Sequence, residues 1–122
     1  MSEVSENLKN AFAGESQANR RYFAFSLKVE EEGLTQVAKL FRAAAEAGTV
    51  HALNHLRILS KIKSAPENLD SAVSGETFEF TKMYPEYIII AKQEKNSQAV
   101  WSFDVANKVE EFIQNSRTLL TL

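Results

Sequence analysis

No cysteine occurs among the 122 residues of the chain. Disulfides, thiolate nucleophiles, cysteine-held zinc and iron–sulfur clusters are therefore excluded, and any metal must be held by carboxylates and imidazole. Glycine and proline are scarce, four and two respectively, too few for a loop-rich or all-β chain, which leaves long uninterrupted helices. Long apolar runs are missing too. The longest purely aliphatic stretch, Ile88 to Ala91, falls far short of the roughly 20 residues that cross a bilayer as a helix. The opening "MSEVSENLKNAF" is acidic and polar, where a signal peptide has a basic start and an apolar core. A cytoplasmic protein without a membrane span is expected. The net charge of −2 gives no electrostatic ground for binding nucleic acid or an anionic membrane. The small basic group Arg57, Lys61 and Lys63 suits the negative end of a helix dipole.

What is present is ordinary for a globular protein: 44% apolar and 25% charged residues, enough to bury a core in one domain spanning residues 1–122. Apolar residues recur at helical spacing from about Glu6 to Glu32, through Leu8, Ala11, Phe12, Ala18, Tyr22, Phe25 and Val29, so this segment is a first helix. Gly33 suits its C-terminus, and Thr35 the N-cap of a second helix that runs to about Ile62. "SAPEN" then breaks the pattern, with Pro66 placed at the first turn of a third helix that reaches about Glu94. "KNSQ" turns the chain into a fourth helix from about Gln98 to Leu119.

The two halves are alike. "AFAGES" in the first helix matches "AVSGET" in the third, and "TQVAKLF" in the second matches "SQAVWSF" in the fourth. Twenty-one positions separate Glu15 from Gln36, whereas twenty-two separate the matching Glu76 and Gln98. The third helix therefore holds one extra residue, which a π-bulge or kink near Pro85, in "MYPEY", would absorb. Two helical hairpins imply a four-helix bundle. Where the second and third helices of such a bundle run parallel, their linker must return along about 40 Å of helix. Some five residues reach at most about 17 Å. A domain-swapped dimer, with one hairpin from each chain in each bundle, is the expected assembly.

Glu15 lies about 17 residues before the first turn and Gly48 about 15 after it, so the two stand at one height. Glu76 and Glu110 stand likewise about the second turn, with Glu79 on the face of Glu76. Together with His51, these acids would meet at one depth of an apolar bundle, where an unpaired carboxylate is costly and bound metal is the usual remedy. Di-iron carboxylate bundles use one Glu from each of two helices and Glu-x-x-His from each of the other two, because residues at i and i+3 share a face. Here the second helix reads "GTVH", which keeps His51 and puts Gly48 in the place of the acid. The fourth reads "EEFI", which keeps Glu110 and puts Ile113 in the place of the histidine.

The strings around these residues, "NLKNAFAGESQANRRYFAF", "FRAAAEAGTVHALNHLR" and "SGETFEFTKMYPEY", resemble the rubrerythrin family over nearly the whole chain. The resemblance implies a ferritin-like four-helix bundle with a di-iron site that reduces hydrogen peroxide using electrons from a rubredoxin centre. It also implies metal ligation by Glu15, His51, Glu76, Glu79 and Glu110, with the Tyr22 and Tyr84 hydroxyls hydrogen-bonded to the carboxylates. Glu79 and His51 exchange at one iron in such proteins. A rubredoxin module needs four cysteines, so the chain resembles the short relatives without one, and its electron donor would be a separate protein such as rubredoxin.

Three readings stay open at this stage. The first is a peroxidase acting on peroxide or oxygen with a weakened metal pair. The second is a mononuclear binder of iron or another divalent metal, without turnover. The third is a metal-free relative kept as a structural dimer. Two nearby residues are set aside: His55 has no role in the site, and Glu46 is rotated by about 200° from Gly48 and faces away. The eight phenylalanines and Trp101 are assigned to the core or to a dimer interface.

Overall fold

The computed structural model describes residues 2–114 and 116–121. Helix α1 spans Glu3–Glu31, α2 Thr35–Ile58, α3 Ala65–Phe78, α4 Tyr84–Gln93 and α5 Ser97–Gln114. A π-helical turn, Glu79–Met83, joins α3 to α4, and a 3-10 segment, Ser116–Thr121, follows α5. Among the described residues there is no strand. The fold is all-α and forms two compact units, divided between Ile62 and Lys63. In the first, α1 packs on α2. In the second, α3, the π turn and α4 form one arm that packs on α5.

Local chemistry accounts for most of the boundaries. Ser2 caps α1, its side chain accepting from the Ser5 N–H at 3.1 Å, with Glu3 and Glu6 in the first turn, where acids favour the helix dipole. Ser64 caps α3 by accepting from the Glu67 N–H at 3.3 Å, with proline in the first turn. His55 and Arg57 lie in the last turn of α2, the place for cations. Several boundaries differ from the sequence expectation: α1 starts at Glu3 rather than about Glu6, and α2 ends at Ile58 rather than about Ile62. Thr35 is the first residue of α2, and its cap is Leu34 with no side-chain hydrogen bond. The cause is the closure of α1, in which the Leu34 N–H reaches back to Val29 O and leaves Leu34 as the junction. The fourth helix also ends at Gln114 rather than near Leu119, beyond which Ser116 and Thr118 are residues that compete with helical backbone bonding.

The duplication is visible in the packing. Tyr22, Phe25 and Phe41 form a three-ring cluster with centroid separations of 6.2, 6.1 and 5.5 Å. Tyr84, Tyr87 and Phe103 repeat it in the second unit at 6.4, 6.0 and 5.5 Å. For Tyr84 to take the place of Tyr22 while Glu76 takes that of Glu15, one residue must be absorbed between them. The π turn does this, with the Tyr84 N–H donating to Glu79 O, five residues back. In the first unit the helix seam is made of small buried residues, Ser26, Ala38, Ala45, Gly48 and Ala52, which lets the helices approach closely. Large apolar side chains such as Leu40 and Ile58, each 67% exposed, are left on the surface.

The two hairpin turns share one closure and divide good residues between them. Gly33 donates to Glu30 O and Leu34 to Val29 O; in the second turn Lys95 donates to Lys92 O and Asn96 to Ala91 O. Both are Schellman motifs, which place the residue after the C-cap in the left-handed region. That residue is Gly33 (φ 81°) in one turn and Lys95 (φ 57°) in the other. Conversely, Asn96 caps α5 by accepting from the Ala99 N–H at 3.0 Å, where the first turn has Leu34. Lys95→Gly should raise stability by about 1 kcal/mol, because it removes the left-handed strain of a Cβ. Chemical denaturation of the two proteins measures this, and an unchanged or lower midpoint contradicts it.

Candidate metal centre

In the first unit α1 carries Glu15 and α2 carries Gly48 and His51. The matched heights expected for Glu15 and Gly48 are present: a Cβ built on buried Gly48 would meet Glu15 Oε2 at 3.4 Å and Asn19 Cβ at 3.5 Å. These are ordinary van der Waals distances, so a Cβ is sterically acceptable here. His51 Nδ1 stands 3.5 Å from the same Glu15 Oε2, with the side chains 56% and 35% exposed respectively. Leu40 and Ile58 lie eleven positions before and seven after His51, so the imidazole shares the uncovered apolar face of α2.

Asn19, which the sequence reading passed over, ties this seam together. Its Nδ2 donates at 2.6 Å to both Ala45 O and Thr49 Oγ1, while the Arg20 Nε donates to its Oδ1 at 2.7 Å. The available signal was a polar residue one turn beyond Glu15 in an otherwise apolar stripe. Glu46 is exposed, as its angular position requires.

The second unit brings three of the expected ligands together. Glu76 from α3, Glu79 from the start of the π turn and Glu110 from α5 each offer an oxygen, and these oxygens all lie within 4.8 Å of one another. Glu110 is 9% exposed. Glu76 Oε2 and Glu110 Oε2 are buried without a hydrogen-bond partner, and so is Asn107 Oδ1, one turn before Glu110 on α5. A carboxylate accepts and does not donate, so three carboxylates this close have nothing to offer one another. Ile113, three residues after Glu110, is half-buried. Tyr22 and Tyr84 are half-buried and engaged through their rings. Among the described residues neither hydroxyl has a hydrogen bond to a carboxylate.

The residues therefore suit a cation in the second unit, where orphaned acceptors converge, and offer a carboxylate and an imidazole in the first. Such a donor set on antiparallel helices is that of a carboxylate-rich metal protein. The Rubrerythrin family model matches residues 6–112, and the chain belongs to that family, whose fold is ferritin-like and whose metal centre is a di-iron site. It is 36% identical to nigerythrin of Nitratidesulfovibrio vulgaris over 93% of this chain and 63% of that protein. A rubrerythrin of Porphyromonas gingivalis is 34% identical over 89% of this chain and 61% of its own length. The chain thus spans less than two thirds of these relatives. A structure of fully reduced, all-ferrous nigerythrin aligns with 98% of this chain and 66% of that one, at 32% identity and a TM-score of 0.47.

An unpartnered buried carboxylate destabilises a metal-free fold, and an apolar residue of similar volume removes the penalty. Glu110→Leu should therefore melt at a higher temperature than the parent when both are stripped with chelator. It should also lose the stabilisation that a divalent metal confers on the parent. Calorimetry with and without metal tests both parts, and a mutant less stable than the metal-free parent would contradict the orphaned-charge account.

Proposed function

We propose that this protein is a rubrerythrin-type metalloprotein whose carboxylates hold iron and serve the reduction of hydrogen peroxide, with electrons delivered by a separate protein such as rubredoxin. The carrying observation is the convergence of Glu76, Glu79 and Glu110 around orphaned acceptor oxygens. Glu15 and His51 complete the set in this reading, because they sit at the matching height of the other hairpin and on its uncovered face. Gly48 and Ile113 leave the set short of one bridging acid and one imidazole, so the second metal position is the weaker. When bound, a ferrous pair supplies the two electrons that, with two protons, convert hydrogen peroxide into two waters. The chain's part is to hold acceptor oxygens at fixed spacing. The half-buried Tyr22 and Tyr84 each contribute an O–H in this reading.

The single ferritin-like domain of this proposal is a bundle of two hairpins, and the chain favours building it from two copies. Helix α2 has 24 residues, about 36 Å of helix at roughly 1.5 Å per residue. Residues 59–64 reach at most about 20 Å. In the exchanged arrangement each bundle takes Glu15 and His51 from one chain and the three acids from its partner. Among the described residues no helix is long and apolar enough to cross a membrane, and the proposed setting is the cytoplasm.

Anaerobic loading with ferrous iron should give up to two irons per bundle, with the second lost first on dialysis. Peroxide should then oxidise the loaded protein faster than dioxygen does, and Glu110→Ala should abolish both loading and oxidation. A loaded protein inert to peroxide leaves the metal-binding reading in place and removes the peroxidase one. For the assembly, light scattering should report a dimer, and inserting about twelve flexible residues after Ser60 should yield monomers by letting the linker return. A monomeric parent chain rules out the exchange.

A further inference from the structure

We propose that the face of α5 turned away from α3 and α4 is a self-association surface, on which the helix pairs antiparallel with α5 of a second copy of this chain. The surface carries none of the acids discussed above, and its occupation needs neither metal nor peroxide.

Four residues make this face. Trp101, Val105, Val109 and Phe112 follow one another at spacings of four, four and three, which puts them on one stripe of the helix. They are 68, 44, 53 and 78% exposed. The residues that meet the other arm of the hairpin lie elsewhere. Phe103 packs on Tyr84 and Tyr87 and Glu110 meets the acids of α3 and the π turn, about 150° round the helix from the stripe. The repeat shows that closing a hairpin does not ask for such bulk. Aligning "TQVAKLF" with "SQAVWSF" puts Lys39, Ala43, Ala47 and Val50 of α2 at the positions of Trp101, Val105, Val109 and Phe112. Helix α2 packs on α1 with a lysine and two alanines in those places, so the large side chains of α5 serve something else.

The charges beside the stripe identify the occupant. Asp104 and Lys108 lie along one edge, with Lys108 Nζ 3.0 Å from Asp104 Oδ2, whereas the uncharged Gln98 and Ser102 lie along the other. A two-fold axis across an antiparallel helix pair sets like edges together, and one along a parallel pair sets opposite edges together. Only the antiparallel pair therefore brings acid to base. With the axis at the level of residues 106 and 107, Asp104 stands beside the partner's Lys108, Trp101 against the partner's Phe112 and Val105 against the partner's Val109, each contact occurring twice. One register thus matches apolar to apolar, aromatic to aromatic and acid to base, which makes the stripe complementary to itself. The helix has 18 residues, about 27 Å. A pair of such faces stands at the small end of specific interfaces, roughly 1,200 Å2 or less, so the association is expected to be reversible.

The test is sedimentation of the full-length protein over a concentration series, read together with the emission of Trp101, the single tryptophan of the chain. Mass should double as concentration rises, whatever assembly is present on dilution, and the emission should move to shorter wavelength over the same range. Phe112→Asp should weaken the doubling about tenfold or more, and the exposure of this side chain lets the variant fold. Lys108→Asp sets four acids together and should weaken it roughly fivefold, while adding Asp104→Lys to that variant should restore it to within about twofold. In a chain without cysteine, a mixture of Val105→Cys and Val109→Cys should form the mixed disulfide in preference to either like pair. Mass and emission that ignore concentration would overturn the pairing, and so would a double variant no stronger than Lys108→Asp alone. Preferential self-crosslinking of Val105→Cys would overturn the antiparallel register. Exchange of hairpins through the linker does not depend on these charges, and each of those failures would leave it standing.

Discussion

Carboxylate oxygens buried without a donor are the constraint from which the rest of this structure follows. Each one costs free energy that a leucine would not, and a helical hairpin with a modest core has little stability to give away. The acids at positions 76 and 110 nevertheless sit at one depth, on helices that face each other. The π turn keeps them there: it lets Glu76 hold the register of Glu15 while Tyr84 holds that of Tyr22. A plain α-helix through the same residues would satisfy one of these alignments and break the other.

The duplication makes the departures interpretable. At corresponding places α2 has Gly48 three residues before His51 and α5 has Ile113 three residues after Glu110. The donor types differ by hairpin, an imidazole with one acid in the first and carboxylates in the second. The same division of labour appears in the turns, where Gly33 serves closure in one and Asn96 serves capping in the other. Two copies of one hairpin have drifted apart in what each supplies, both locally and at the site.

Much of this was legible in the sequence because it rests on spacing. Helical periodicity, the scarcity of glycine and proline, the repeat and the one-residue offset between Glu15–Gln36 and Glu76–Gln98 together imply two hairpins and an interrupted third helix, and the π turn falls at Glu79–Met83, just ahead of Pro85. The heights of Glu15 and Gly48 followed from counting. What did not follow were features set by three-dimensional satisfaction of polar atoms. Leu34 takes the cap from Thr35 because the Schellman closure consumes its N–H, and no local preference reveals that. Asn19 and Asn107 look alike as mid-helix amides. Asn19 is bonded to Ala45 O and Thr49 Oγ1 across the seam, whereas Asn107 Oδ1 is buried without a partner.

The first unit leaves an apolar face of α2 uncovered. Helix α2 buries alanine and glycine against α1 and turns Leu40, His51 and Ile58 outward, so the face that carries the imidazole is also the face left apolar and uncovered. Covering that face would remove apolar surface from water, the term that dominates helix association.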